Sequence, residues 1–131
     1  MQAIKEAICI INYKKPQAPI LAMQAVDFLS AMGVNFSFPA EGIGYSVHSL
    51  SDYEEELKKT KAQIAIIFGG DGTLINTSRV LAPLGIPVLG VNLGTLGFLT
   101  GVEPMAMNES LAYLATGDYV LESRMLLQGS L

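Results

Sequence analysis

The feature that most constrains the fold is a strand-like run that leads directly into a cluster of glycines. Residues 62–68 (AQIAIIF) are mostly apolar and β-branched, as in a buried strand, and residues 69–73 (GGDGT) follow at once. Glycine loses extra conformational entropy on folding, so three glycines around one aspartate predict a tight exit from the strand at which the backbone approaches a ligand. A helix from there to about Leu81 would direct its N-terminal N–H groups and dipole at an anion.

Strand-like and helix-like segments alternate along the chain. Strands are predicted at residues 6–13, 34–38, 62–68, 86–91 and 120–127, with a loop at 40–49; helices are predicted at 17–32, from 51 to about 60, from 73 to 81, and from Pro104 to Gly117. Such alternation predicts parallel strands joined by right-handed crossovers. We therefore expect an α/β fold: an open, mostly parallel, Rossmann-like sheet with helices on both faces. Ligands of such sheets bind beyond the carboxyl ends of the strands.

Local patterns add detail to the two helices that lack glycine motifs. In residues 17–32 an apolar stripe at helical spacing predicts the buried face; its members are Ile20, Leu21, Ala25, Phe28, Leu29 and Met32. Ser51 and Glu54 have the spacing of a capping box at the start of the next helix. Glu54 and Glu55 precede lysines at i,i+4 spacing, which favours ion pairs on the solvent face.

Composition excludes several classes of protein. A chain of 131 residues with 50% hydrophobic and 15% charged residues predicts one folded domain rather than a disordered segment. A net charge of −4 with only eight basic residues argues against nucleic-acid binding. The single cysteine, Cys9, excludes an internal disulfide, and no apolar run reaches the roughly 20 residues of a membrane span. We expect a cytoplasmic protein that binds small molecules.

A second glycine-containing segment follows the next predicted strand. It is residues 92–99 (NLGTLGFL), in which Gly94 and Gly97 would allow close backbone approach. Phe98 has two interpretations, because an aromatic ring beside such a turn either stacks on a base or packs in the core. Asp71 in the first segment also has two interpretations. It either caps the following helix, or it lies beside a phosphate and there takes a proton or binds a metal.

Two commoner nucleotide motifs are absent from the sequence. No Gly-x-x-x-x-Gly-Lys-Ser/Thr is present, so no P-loop is predicted, and no Gly-x-Gly-x-x-Gly opens a helix after the first strand. The phosphate site predicted from residues 69–73 is therefore of another kind.

Taken together, the two segments resemble the NAD kinase family, whose members make NADP from NAD with ATP or polyphosphate as phosphate donor. The family pattern is Gly-Gly-Asp-Gly-Thr followed about twenty residues later by Asn-x-Gly-x-Leu-Gly-Phe-Leu, and both parts stand intact at residues 69–73 and 92–99. Phosphofructokinases and diacylglycerol-type lipid kinases share the first part but not the second. The resemblance extends from residue 62 to the end of the chain.

The resemblance implies a role for each motif residue. Asp71 would be the general base that takes the proton from the 2′-hydroxyl of the adenosine ribose of NAD. Mg²⁺ or another divalent metal would neutralise the donor, held by phosphate oxygens and water rather than by protein ligands. The predicted cofactor-binding residues are Gly69, Gly70, Asp71, Gly72 and Thr73 on the phosphate side, and Asn92, Gly94, Gly97 and Phe98 on the NAD side.

The resemblance also implies a second, β-rich domain that grips NAD. Residues 1–118 would form the nucleotide-binding domain and residues 119–131 the start of the second, so we expect the 131-residue chain to be inactive by itself and the full-length protein to be a homo-oligomer. Two alternatives stay open: a related kinase with the same glycine motif that acts on a lipid or sugar, and a non-catalytic nucleotide-binding module.

Overall fold

The computed structural model describes residues 3–39, 42–93 and 102–117. Five strands and four α-helices lie in this part of the chain, in the order β1 (Glu6–Ile11), α1 (Gln17–Ala31), β2 (Asn35–Phe36), β3 (Tyr45–Ser46), α2 (Glu54–Lys58), β4 (Ile64–Gly69), α3 (Asp71–Leu81), β5 (Val88–Asn92) and α4 (Met107–Thr116). Short 3₁₀ helices span Val47–Tyr53, Ala82–Leu84 and Pro104–Ala106.

The strands form one parallel sheet in the order β2-β1-β4-β5, which confirms the predicted α/β architecture. The first residues of β1 pair with β2 and its last residues pair with β3, so that both short strands share one edge of the sheet. β4 is the central strand, paired with β1 on one side and with β5 on the other. The loops that leave β1 and β5 therefore flank the glycine turn that leaves β4.

Helices cover both faces because side chains along each strand alternate between two cores. Cys9, Ile66 and Phe68 pack on one face with α1 and α4, whereas Ile8 and Ile67 pack on the other face with α2 and α3. Both faces of β1 and β4 are thus apolar, as expected for strands buried in a parallel sheet.

Glycines end two of the helices, as the sequence predicts. Gly33 and Gly117 have φ of +91° and +84°, a left-handed conformation that residues with a Cβ rarely adopt. The buried stripe predicted for the last helix is also observed: its large buried side chains are Met107, Leu111 and Leu114.

Several local expectations are wrong. The predicted stripe of α1 is right at Ala25 and Leu29, which are buried, and at Leu21 and Phe28, which pack against the core. It is wrong at Ile20 and Met32, which are 58% and 41% exposed, because the helix also rests on the sheet through the small residues Ala18 and Ala22. The strand expected at residues 34–38 is reduced to two residues, and the expected loop at 40–49 contains β3.

The predicted capping box is not formed. Ser51 lies inside the 3₁₀ helix, and α2 begins after Tyr53 without a side-chain cap. The expected i,i+4 ion pairs are replaced by one i,i+3 pair, in which the Glu55 carboxylate lies 3.1 Å from Lys58 Nζ and raises the pKa of that lysine. The predicted strand at residues 120–127 lies outside the described residues.

Candidate functional site

The glycine turn lies at the junction between β4 and α3. Gly69 is the last residue of β4, Gly70 caps α3 in an extended conformation, and Asp71 is the first residue of the helix. A Cβ on Gly69 would lie 2.7 Å from the Cβ of Thr73 and still closer to its Oγ1. Gly69 is therefore required by the close packing of the strand end against the first turn of α3.

Gly70 and Gly72 are glycines for a different reason. A Cβ on either would meet no heavy atom of the described residues within 4 Å, and neither has a positive φ. Both border a cleft of about 260 Å³ at the carboxyl edge of the sheet. The absence of side chains at these two positions therefore leaves space in the cleft and is not demanded by the fold.

Three segments of the chain form this cleft. One is the turn after β1, the second is the 3₁₀ helix that follows β3, and the third is the first part of α3. The lining residues are Asn12, Lys15, Val47, His48, Gly70, Gly72, Thr73 and Asn76.

Asn12 connects these three segments through hydrogen bonds. Its Nδ2 donates to Thr73 Oγ1 at 3.4 Å, and its Oδ1 lies 3.0 Å from His48 Nε2. Its backbone N–H donates to the carbonyl of Phe68 at 3.0 Å, which ties the end of β1 to the end of β4. The carboxamide thus fixes the 3₁₀ helix and the turn after β1 against the start of α3.

The ionisable side chains in the lining are basic. Lys15 and His48 border the cleft, and no carboxylate is among its lining residues in the described part of the chain. Within the described residues, Lys15 takes part in no ion pair. The salt bridge found there joins Lys58 and Glu55 of α2, away from the cleft. The first turn of α3 adds backbone N–H groups without intrahelical acceptors. The cleft is therefore suited to an anion.

Asn92 lies on the other side of the glycine turn. It is the buried last residue of β5 and pairs in register with Gly69, while Leu93 donates its backbone N–H to the Gly69 carbonyl at 3.2 Å. Because β1 and β5 flank β4, Asn12 and Asn92 stand on opposite sides of the turn.

Comparison with known proteins identifies the family. The sequence model of the ATP-NAD kinase N-terminal domain matches residues 8–119. The chain belongs to the NAD kinase family. The NAD kinase of Heliobacterium modesticaldum is 42% identical over 123 residues, covering 93% of this chain and 43% of that protein. The NAD kinase of Treponema denticola is 35% identical over 129 residues, covering 98% of this chain and 42% of that protein.

A solved structure supports the same fold. Yeast NADH kinase complexed with NADH matches with a TM-score of 0.54 and 19% sequence identity, over 90% of this chain and 40% of that one. At this identity the likeness concerns the fold alone. The chain spans about two fifths of the length of the relatives it matches.

The structure brings together some of the family residues expected from the sequence and separates others. Gly70, Gly72 and Thr73 line the cleft, whereas Gly69 is buried behind them. Asp71 does not line it, although it stands between two glycines that do and is partly exposed. Asn92 is also absent from the lining. Gly94, Gly97 and Phe98 lie outside the described residues.

The sequence predicts only three of the eight residues that line the cleft in this NAD kinase family member. Asn12, Lys15, His48 and Asn76 line it, yet no motif contains them. Asn12 had one usable signal, since it directly follows a buried strand and must lie at the ligand-binding edge. His48 had none, because its partner in the structure is 36 residues away along the chain.

A neighbouring recess of about 350 Å³ continues along the same edge and is lined by Tyr13, Gly42, Gly44, Ser46, Ser49 and Tyr53. Tyr13 Oη donates to the Gly44 carbonyl at 3.1 Å, and burial raises the pKa of this phenol. Burial, together with the nearby Glu56 carboxylate, raises the pKa of Tyr45 to about 12. These phenols are hydrogen-bonding groups at neutral pH and not bases.

Within residues 3–39, 42–93 and 102–117, no three His, Cys, Asp or Glu side chains are grouped so that they could hold a metal ion. In the same part of the chain, no helix combines the length and apolarity needed to cross a bilayer.

Proposed function

We propose that the full-length protein is an NAD kinase, which transfers a phosphoryl group from ATP or inorganic polyphosphate to the 2′-hydroxyl of the adenosine ribose of NAD. The observation that carries the proposal is a cleft with a basic wall, bordered by the open glycines Gly70 and Gly72, in a chain of the NAD kinase family. The cleft would receive the phosphates of the donor.

The two sides of the glycine turn suggest how donor and acceptor are arranged. The donor would lie on the β1 side, against the basic wall, and NAD on the β5 side, near Asn92 and the segment that contains Gly94, Gly97 and Phe98. Asp71, at the start of α3 between these sides, would accept the proton of the 2′-hydroxyl. The ribose oxygen would form a bond to the terminal phosphorus while the bond from that phosphorus to the bridging oxygen breaks.

Phosphoryl transfer depends mainly on positioning and on neutralising charge. Backbone N–H groups at residues 70–73 and the positive end of the α3 dipole would contribute both without any rearrangement. Mg²⁺ would enter as part of the substrate, bound to donor phosphates and water, which are its ordinary ligands.

Further parts of the proposal concern the whole protein. Residues 1–118 would form the nucleotide-binding domain, and residues 119–131 would begin a β-rich domain that completes the NAD site; the length of the relatives supports this division. The 131-residue chain alone would then form little NADP. We also propose a cytoplasmic homo-oligomer, as the sequence resemblance implies.

The test is NADP formation by the full-length protein, measured with a coupled dehydrogenase. Asp71→Asn should lower kcat by about 10²–10⁴-fold, the usual contribution of a general base. Asp52→Asn is the matched control, since it removes the same charge from an exposed residue of the 3₁₀ helix. Thermal melting checks that both variants fold. An Asp71→Asn variant as fast as the control, or phosphorylation of a lipid or sugar in place of NAD, would refute the proposal.

A further inference from the structure

The wall of the cleft opposite the glycine turn has no role assigned by the family motifs. It consists of the turn after β1, with Asn12 and Lys15, and of His48 at the start of the 3₁₀ helix. We propose that Lys15 and His48 bind the terminal phosphates of the donor and that Asn12 is the positioning residue that holds His48 in place. This inference rests on the proposed function in taking the ligand to be a phosphate donor.

The position of Lys15 fits a phosphate contact. Its side chain borders the same cleft as Gly70 and Gly72, and no carboxylate of the described residues neutralises it. Its backbone N–H donates to the Asn12 carbonyl at 3.0 Å, and its own carbonyl accepts from Ala18 at the start of α1. The backbone at Lys15 is therefore fixed at both ends, which lowers the entropy lost when the ammonium group engages a phosphate.

The hydrogen bonds of Asn12 determine the state of His48. With Asn12 Nδ2 donating to Thr73, Oδ1 faces the imidazole, and a carbonyl oxygen can only accept. His48 Nε2 is therefore the donor in that bond. To contact a phosphate oxygen, Nδ1 must carry a proton as well, so we infer that the ring binds the donor as an imidazolium that donates from both nitrogens. The backbone N–H of His48 also donates to Ser46 Oγ at 3.3 Å, which anchors the residue at the start of its helix.

The same contacts couple the two walls of the cleft. Asn12 bonds to Thr73, which belongs to the glycine motif, and to His48, which does not. The distance between the walls thus depends on one carboxamide. A donor held by N–H groups of α3 on one side and by Lys15 and His48 on the other would have its terminal phosphate directed along the turn.

The first experiment separates donor binding from NAD binding in the full-length protein. Lys15→Ala should raise the KM for ATP and for inorganic tripolyphosphate by about 10- to 100-fold, the loss expected for a hydrogen bond to a charged group. The KM for NAD should stay unchanged. Lys14→Ala is the matched control, because it removes the same charge from the adjacent exposed lysine, which does not line the cleft. Equal donor KM values in the two variants would overturn the inference for Lys15.

The second experiment uses the imidazole as a reporter that needs no turnover. His48 is the sole histidine among these 131 residues, and its resonances in the full-length protein are assigned by their loss in His48→Gln. Inorganic tripolyphosphate should shift these resonances. Their failure to move at tripolyphosphate saturation would exclude contact between His48 and the phosphates.

The role of Asn12 is tested by measuring which nitrogen of the His48 imidazole carries the proton. If Asn12 contributed packing alone, its replacement would not move that proton from one nitrogen to the other. Asn12→Asp keeps an oxygen acceptor and should keep the proton on His48 Nε2, while its new negative charge raises the donor KM. Asn12→Leu removes the acceptor and should populate the other tautomer in ¹⁵N spectra. Retention of the native tautomer in Asn12→Leu would overturn the positioning role.

These experiments also distinguish this inference from the proposed function. If NAD is not phosphorylated but tripolyphosphate binds and Lys15→Ala abolishes binding, the phosphate site stands and the NAD kinase assignment falls. If NADP is formed normally and Lys15→Ala behaves like Lys14→Ala, the inference about this wall falls alone.

Discussion

Gly72→Ala separates the stability of the fold from the function of the glycine turn. Gly72 is exposed in the first turn of α3 and has no positive φ, and a Cβ there meets no heavy atom of the described residues within 4 Å. Alanine is favoured over glycine inside a helix by about 0.5–1 kcal/mol. For a domain of this size that gain corresponds to a rise in Tm of about 2–5 °C.

The same methyl group should impair phosphate binding. Gly72 borders the cleft, so the added carbon occupies space into which a phosphate held by backbone N–H groups would pack. Non-bonded carbon and oxygen atoms separate by about 3.5 Å, whereas an N–H···O contact is about 2.9 Å, so we expect the phosphate to be displaced by roughly 0.6 Å. Because a misplacement of about 1 Å costs about 10²-fold, we expect this displacement to lower kcat/KM by about 10-fold.

The assay combines thermal denaturation with NADP formation by the full-length protein at varied ATP and polyphosphate concentrations. Gly69→Ala provides the contrast, because its Cβ would lie 2.7 Å from that of Thr73; overpacking of this kind destabilises by about 1–3 kcal/mol. We therefore expect Gly72→Ala to be more stable than the wild-type protein but slower in NADP formation, and Gly69→Ala to be less stable than the wild-type protein. A Gly72→Ala variant with wild-type kcat/KM for both donors would show that the phosphates do not approach this turn.

Three further predictions concern the core. Leu29→Ala should lower the free energy of unfolding by about 2–5 kcal/mol, whereas Ile20→Lys on the exposed side of α1 should change it by less than about 0.5 kcal/mol in urea titrations; equal effects would contradict the observed orientation of α1. Burial raises the pKa of Cys9, so Ellman's reagent should label it only on unfolding, and rapid labelling of the native protein would contradict its burial. Burial and Glu56 raise the pKa of Tyr45 to about 12, so the stability that this phenol contributes below pH 10 should be lost between pH 10 and 12. The loss should be smaller in Tyr45→Phe, and identical alkaline unfolding transitions in the two proteins would exclude this cause.

Long elements of the fold are predictable because their sequence patterns reflect their burial directly. β4 is apolar throughout since both of its faces are covered, and α3 begins at Asp71, directly after Gly70. Short elements escape prediction because pairing, not local preference, forms them. β3 consists of two residues, and it exists because Tyr45 pairs with Ile10 of β1.

The predicted buried face of α1 is wrong at its edge, and the reason is packing. Ile20 belongs to the most apolar stripe of the helix, yet alanines allow the helix backbone to approach the sheet more closely than branched side chains would. Hydrophobicity alone ranks isoleucine above alanine, so the predicted stripe includes the exposed Ile20 and omits the buried Ala18 and Ala22, although it places Leu29 correctly. The size of the residue decides the contact here.

The glycine turn, which the sequence predicts, and the basic wall, which it does not predict, are assembled in different ways. The glycine turn is local, so adjacent residues carry its signal. The basic wall is produced by sheet order, which places the loop after β1 beside the loop after β4 and lets β3 bring His48 to Asn12. The same order makes β4 the central strand, so that the glycine turn lies between the loops that follow β1 and β5. Under the proposed function, Asp71 at the start of α3 would lie between a donor on the β1 side and NAD on the β5 side, and this position would follow from the central place of β4 in the sheet rather than from any sequence motif.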